Sequence, residues 1–241
     1  MSYLLYCIFR DPLPPAFEIS DGVTGDRVFT ANHSGLGAAL SKFAEPDLPP
    51  DTSKLPDYET VVESFYRHTT VIPMRYACRV ADPYDAVILL RENHDAYEEL
   101  LHQLEGLAEV AIQLLLDGSI VGAETDPPAI LPERFPLRSS PSGAAYVDAK
   151  KPRYRAPQWG TKAQHALVEN LCVSLRVSFV RHKVGFPSCR RSLLLSLYCL
   201  VPRHSVESFL RAARHLPGDP SVKLVFSGPR PPYNFVDALQ K

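Results

Sequence analysis

Tyr3-Leu4-Leu5-Tyr6-Cys7-Ile8-Phe9 is apolar or aromatic at every position. Strand side chains alternate between two faces, so a short run with no polar alternation reads as a strand covered on both sides, at the centre of a sheet. A second run of this kind, Ser192–Val201, lies far along the chain and is stopped by Pro202.

Weaker strand signals sit beside the first run at Arg27–Ala31 and Gly37–Phe43. A Pro-rich stretch at residues 45–56 then leads to a helix over Asp57–Arg67 and a β-branched run at Thr70–Tyr76. Asp82-Pro83 opens the next helix, with Asp as cap, Pro at the first position and Asp85 favouring the N-terminus. Tyr97, Leu101 and Leu104 continue its apolar stripe, and Gly106 suits its C-terminal end. Val110, Ile112 and Leu114 alternate with Ala111 and Gln113 as a strand.

Downstream, Thr161 and Gln164 have capping-box spacing, with Ala163, Leu167 and Leu171 on one helix face. Strands at Val177–Val184 and Ser192–Val201 precede a helix capped by Ser205, whose inward face is Val206, Phe209, Leu210 and Ala213. Val222, Leu224 and Phe226 mark a last strand after the Gly218-Asp219-Pro220 turn. This order predicts an α+β fold of two ferredoxin-like variants, mainly antiparallel sheets with helices packed on one face.

The division between the units is expected in the Pro-rich stretch 126–157, whose prolines exclude a long helix or a central strand. It separates an N-terminal unit, 1–125, from a C-terminal unit, 158–241, ending in a Pro/aromatic tail, 227–241. Charge divides at the same place. Residues 1–125 carry 20 Asp/Glu and 8 Lys/Arg, a net of −12, and residues 126–241 carry 7 and 18, a net of +11. Halves of opposite sign attract, either within one molecule or head to tail between molecules. The linker favours the first, leaving a monomer with at most weak head-to-tail association.

Five cysteines without a C-x-x-C pair, most of them in apolar runs, fit free thiols in a reducing cytosolic setting. The N-terminus lacks the basic start of a signal peptide, and the longest apolar stretch, Leu193–Val201, is about half of the ~20 residues of a membrane-spanning helix. No lipid membrane partner is expected.

Familiar chemical motifs are missing. There is no H-E-x-x-H or Cys/His zinc spacing, Leu40 replaces the third glycine after Gly35-Leu36-Gly37, and no G-x-S-x-G occurs. No catalytic, cofactor or metal residue is therefore nominated. A small-molecule enzyme on ferredoxin-like domains remains an alternative reading. Lys150, Lys151, Arg153 and Arg155, near Tyr154 and Trp159, offer another, a nucleic-acid-binding module. The slightly negative total charge and the acidic half argue against nucleic acid.

Pro229, Pro231 and Pro232 stiffen the tail toward polyproline II and present Tyr233 and Phe235 from a pre-ordered backbone. The aromatics can close the protein's own core or meet a partner. Arg230, Pro231, Pro232, Tyr233 and Phe235 are the candidate interaction residues. Arg75 ends an apolar run, where an unpaired charge is costly, so a structural ion pair with an acidic residue of 82–109 is expected.

Four segments carry a family resemblance. Gly228-Pro229-Arg230-Pro231-Pro232-Tyr233-Asn234-Phe235 resembles the G-P-W-P-P-Y-x-F motif of the gas vesicle protein F/L family. Thr70-Val71-Ile72-Pro73-Met74-Arg75-Tyr76 is similar to its T-V-L-P-M-R-F, Tyr3–Ile8 to its Y-L-Y-x-I, and Leu200-Val201-Pro202-Arg203 to its L-V-P-R. The matches keep the family's order. Arg230 stands where the family has Trp, and Tyr76-Ala77 where it has Phe-Gly. The resemblance implies a non-catalytic, cofactor-free protein of gas vesicles, the hollow cytoplasmic protein shells. Such a protein associates with the small hydrophobic shell protein and with other accessory proteins, in assembly or as a minor shell component.

Overall fold

The computed structural model describes residues 2–15, 17, 21–43, 52–116, 162–185, 194–216 and 222–236. Its first sheet contains β1 (Ser2–Arg10), β2 (Phe29–His33), β3 (Leu36–Phe43), β4 (Val71–Pro73) and the short β5 (Arg79–Val80). The strand order is β2-β3-β1-β4, with β5 also pairing β1, and every pairing is antiparallel. β1 is central, as its unbroken apolar run predicts, and Leu4 to Phe9 are fully buried.

Helix α1 (Leu55–Tyr66) covers one face of this sheet through Tyr58, Val61, Val62 and Phe65. Helices α2 (Pro83–Glu92) and α3 (His94–Leu104) cover the other through Ala86, Leu90, Tyr97, Leu101 and Leu104. The expectation of helices on one face is therefore corrected for this sheet. β1 is apolar on both sides because each side has its own helical layer.

The helix opened by Asp82-Pro83 has the expected cap: Asp82 accepts from Tyr84 N at 2.7 Å, while Asp85 accepts from Asp82 N at 3.1 Å. It does not run unbroken to Leu104. The Asn93 side chain donates to the Leu89 carbonyl at 3.0 Å and its backbone leaves helical geometry, separating α2 from α3. Asn competes with the helix ladder in this way. Gly106, at φ +69°, then turns the chain out of α3.

The second sheet holds β6 (Leu107–Leu116), β7 (Arg181–Gly185), β8 (Leu194–Pro202) and β9 (Val222–Arg230), in the order β7-β8-β6-β9 and antiparallel throughout. Helix α4 (Lys162–Leu175) follows β6, and α5 (Val206–Arg214) follows β8. The sequence β6-α4-β7-β8-α5-β9 is a βαββαβ unit with the ferredoxin-like strand order. The first sheet repeats that order with a non-helical connection in place of the first crossover helix, as far as its described residues show.

The segments 1–125 and 158–241 both contribute strands to the second sheet. β6 belongs by position to the 1–125 segment, yet it lies between β8 and β9 in the second sheet. The physical reason is burial: Ala108 to Ile112 are fully buried, so β6 needs neighbours on both edges. The Pro-rich stretch 126–157 lies outside the described residues, as do Thr161 and residues 237–241.

Other differences are local. The strand expected over Val177–Val184 is confined to Arg181–Gly185, because Ser178 N bonds to Leu175 O in a turn that ends α4. The buried stripe of α4 is Gln164, Val168, Leu171 and Leu175, so Gln164 faces the interior. One apolar cluster joins the α1 side of the first sheet to the α4/α5 side of the second.

Candidate functional site

β6 carries one carboxylate, Glu109, in a mainly apolar run, and its side chain is fully buried. A carboxylate withdrawn from water is destabilising by several kcal/mol unless charge and hydrogen bonds replace the solvent. Both are supplied by the tail. Arg230 brings Nη2 to 2.8 Å and Nε to 2.9 Å of Glu109 Oε1. Asn234 donates its side-chain amide to Oε1 at 2.7 Å and its backbone N–H to Oε2 at 2.8 Å.

The backbone makes this approach possible. Arg230 pairs with Glu109 and Ser227 with Ala111, so β9 holds one extra residue, a β-bulge, between them. Gly228 sits in that bulge at φ +112°, and a Cβ there would stand 2.6 Å from the Glu109 carbonyl oxygen. Only glycine tolerates both the angle and the contact.

Beyond the bulge the tail folds inward. Pro231 and Pro232 are buried, and Pro232, at ψ 59°, departs from polyproline II and enters a short 3₁₀ turn at Tyr233–Phe235. The expected extended presentation is corrected here, because capture of Asn234 by Glu109 bends the chain. Phe235, 7% exposed, packs in the cluster containing Leu5, Ile8, Ile72, Met74 and Leu200. Arg181 and Lys183 stand over its ring at 5.6 and 5.9 Å. Among the described residues the buried Tyr233 hydroxyl has no hydrogen-bond partner, and burial pushes its pKa upward.

Two further connections join the resembling segments. The Tyr58 hydroxyl lies 2.9 Å from Leu5 O, 3.1 Å from Met74 O, 3.2 Å from Arg75 O and 3.3 Å from Tyr6 O, tying the first segment to the second. Arg203 stacks its guanidinium 3.8 Å over the Tyr66 ring and donates to Tyr66 O at 3.0 Å, satisfying a carbonyl at the end of α1. Its backbone N–H donates to Gly106 O at 2.9 Å, and Tyr66 donates to Leu107 O at 3.2 Å. Arg203 thereby joins the first helical layer to the start of the second sheet.

Arg75 lies apart from this junction. Its side chain is exposed. It stands on the wall of a cavity of about 420 Å³, together with Asp85. A smaller cleft of about 230 Å³ adjoins the tail and is lined by Glu59, Glu63, Pro229, Arg230, Pro231 and Tyr233. Among the described residues no group of three or more His, Cys, Asp and Glu side chains is arranged to hold a metal ion. No helix among them is long and apolar enough to cross a membrane.

Sequence reasoning selected the tail residues but missed Glu109 as the partner of Arg230. The legible signal was a lone carboxylate within an apolar strand. Tyr58 and Asn234 carry no comparable signal.

The architecture has solved counterparts. The crystal structure of gas vesicle protein GvpF from Anabaena sp. PCC7120 is similar, with a TM-score of 0.71 at 18% identity, covering 98% of this chain and 96% of that one. That of GvpF from Microcystis aeruginosa has a TM-score of 0.69 at 18% identity, covering 98% and 99%. At this identity they show a shared fold. No curated protein matches the chain. The family model described as gas vesicle synthesis protein GvpL/GvpF matches residues 2–237. With that match spanning both sheets and the tail, the chain belongs to the GvpL/GvpF gas vesicle synthesis protein family.

Proposed function

We propose that this protein serves gas vesicle assembly, or is a minor shell-associated component, and acts by contact with the small hydrophobic shell protein and other accessory proteins. The family match over residues 2–237 carries this reading. On this reading the protein works at the gas vesicle in the cytoplasm, without nucleic-acid or lipid-membrane partners. The site chemistry is consistent with it. Both Glu109 oxygens are occupied by Arg230 and Asn234, which leaves this buried carboxylate a structural anchor rather than a general base.

The tail divides its work. Phe235 closes the protein's own core, while Arg230, 37% exposed, and Tyr233 beside the smaller cleft remain available to a partner. The charge division acts mainly within the molecule, and the Glu109–Arg230 pair is one such contact between the acidic and basic halves.

Purification of the intact protein from vesicle-forming cells, with a protein inventory of purified shells, tests this reading. Enrichment of the shell protein or of accessory vesicle proteins is expected. Recovery with neither, alongside absence from vesicle fractions, contradicts it.

A further inference from the structure

The smaller cleft, of about 230 Å³, opens where α1 meets the end of β9 and the tail. Glu59 and Glu63 reach it from α1, and Pro229, Arg230, Pro231 and Tyr233 from β9 and the tail. Its volume is below the roughly 300–1,000 Å³ of small-molecule sites, and suits one long side chain rather than a whole ligand.

Two of the three charges in this lining are already engaged. Arg230 is committed to the buried Glu109, with Nη2 at 2.8 Å and Nε at 2.9 Å, so that pair is neutral as a whole. Glu63 meets Arg67 at 3.1 Å, but as an exposed pair one helical turn apart, which is weak in water and leaves carboxylate lone pairs open. Glu59 is exposed, and its carboxylate has no ion-pair or hydrogen-bond partner among the described residues. After burial, the Glu59 charge is the largest influence holding Tyr233 protonated, which places this carboxylate near the Tyr233 ring. The buried Tyr233 hydroxyl has no partner among the described residues either. The cleft therefore carries uncompensated negative charge, and the net of −12 over residues 1–125 acts in the same direction.

We propose that this cleft receives one basic side chain, lysine or arginine, from a partner vesicle protein. Its aliphatic stem lies along Pro229, Pro231 and the Tyr233 ring, and its charged end meets Glu59, with Glu63 one helical turn away. An acidic occupant is opposed by like charge, and an apolar one strips water from Glu59 without replacing its hydrogen bonds. This chain's own cations at the cleft, Arg230 and Arg67, are both engaged, so the occupant is a different side chain. The inference rests on the assembly reading and names the chemistry of one contact within it.

The test recovers the tagged full chain from vesicle-forming cells, with the vesicle proteins bound to it. Glu59→Lys combined with Glu63→Lys should lower that co-recovery by about tenfold or more, with an unchanged thermal midpoint. Glu92→Lys combined with Glu99→Lys makes the same change in net charge on the exposed surface of α2 and α3, across the first sheet from α1. It should leave co-recovery unchanged. Undiminished co-recovery in the cleft variant, or an equal loss in the second, overturns the proposal. If the cleft variant unfolds more readily, Glu59→Gln with Glu63→Gln takes its place, and a loss of about threefold or more is required. A water-soluble carbodiimide, which couples carboxylates to lysine amines in contact with them, then identifies the occupant by peptide mass spectrometry. Coupling of Glu59 or Glu63 to a lysine of another vesicle protein supports the proposal, and charge-dependent recovery without coupling assigns the contact to arginine. Coupling only to this chain's own lysines overturns it. Wild-type recovery without any vesicle protein contradicts the assembly reading and this contact with it, whereas intact recovery indifferent to the cleft variant rejects the cleft alone.

Discussion

Arg230, on the last strand, holds the fully buried Glu109 carboxylate at 2.8 Å, across 121 residues of chain. Arg230 occupies the Trp position of the resembling family motif, so this departure supplies the cation for a buried charge. Arg230→Trp should destabilise the protein by about 2–4 kcal/mol, since Glu109 keeps only Asn234. Urea denaturation of this variant, of Glu109→Gln and of the double variant should show coupling of about 1 kcal/mol or more. Strict additivity would contradict the pairing.

Tyr233 offers the opposite expectation. Its hydroxyl is buried without a hydrogen-bond partner among the described residues. Tyr233→Phe should therefore leave stability unchanged or raise it by about 1 kcal/mol, whereas Tyr233→Ala should cost about 3 kcal/mol. A loss above about 1 kcal/mol in Tyr233→Phe would mean that the hydroxyl is satisfied.

Ala77 stands where the family pattern has glycine, at φ +66°. Relieving a left-handed alanine outweighs the added chain entropy of glycine, so Ala77→Gly should stabilise by about 0.5–1 kcal/mol. Thermal unfolding provides the check, and a lower midpoint would refute the strain argument.

Much of the architecture was legible because it follows from periodicity and caps. β1 announced itself as central, and Asp82-Pro83 marked the start of α2. The second helical layer on β1 was not read from the sequence, because the spacing of helices alone does not say which face each covers. The placement of β6 in the second sheet was not legible, because the sheet a strand joins depends on partners far along the chain. The tail stood out by composition. Its inward turn did not, because that turn depends on Asn234 meeting Glu109, a contact without a sequence period.

Alkaline pH should unfold the protein through its buried tyrosines. Burial is the largest cause raising Tyr6, Tyr58, Tyr66, Tyr97 and Tyr233, with Tyr97 pushed up to about 12. The unfolded chain releases these protons near pH ~10, before the folded protein does. Stability is thus fully present below about pH 10 and falls as pH rises toward the raised folded values. Tyrosinate absorbance and circular dichroism should change together above that point. Early tyrosinate formation without unfolding would contradict the burial.

The assembly role is tested most directly by deleting the gene in a vesicle-forming host and counting vesicles by electron microscopy, with the intact chain returned as control. The account predicts that vesicles are lost or sharply reduced without a defined metabolic block, and that the returned chain restores them. Normal vesicle number and morphology in the deletion strain would contradict it.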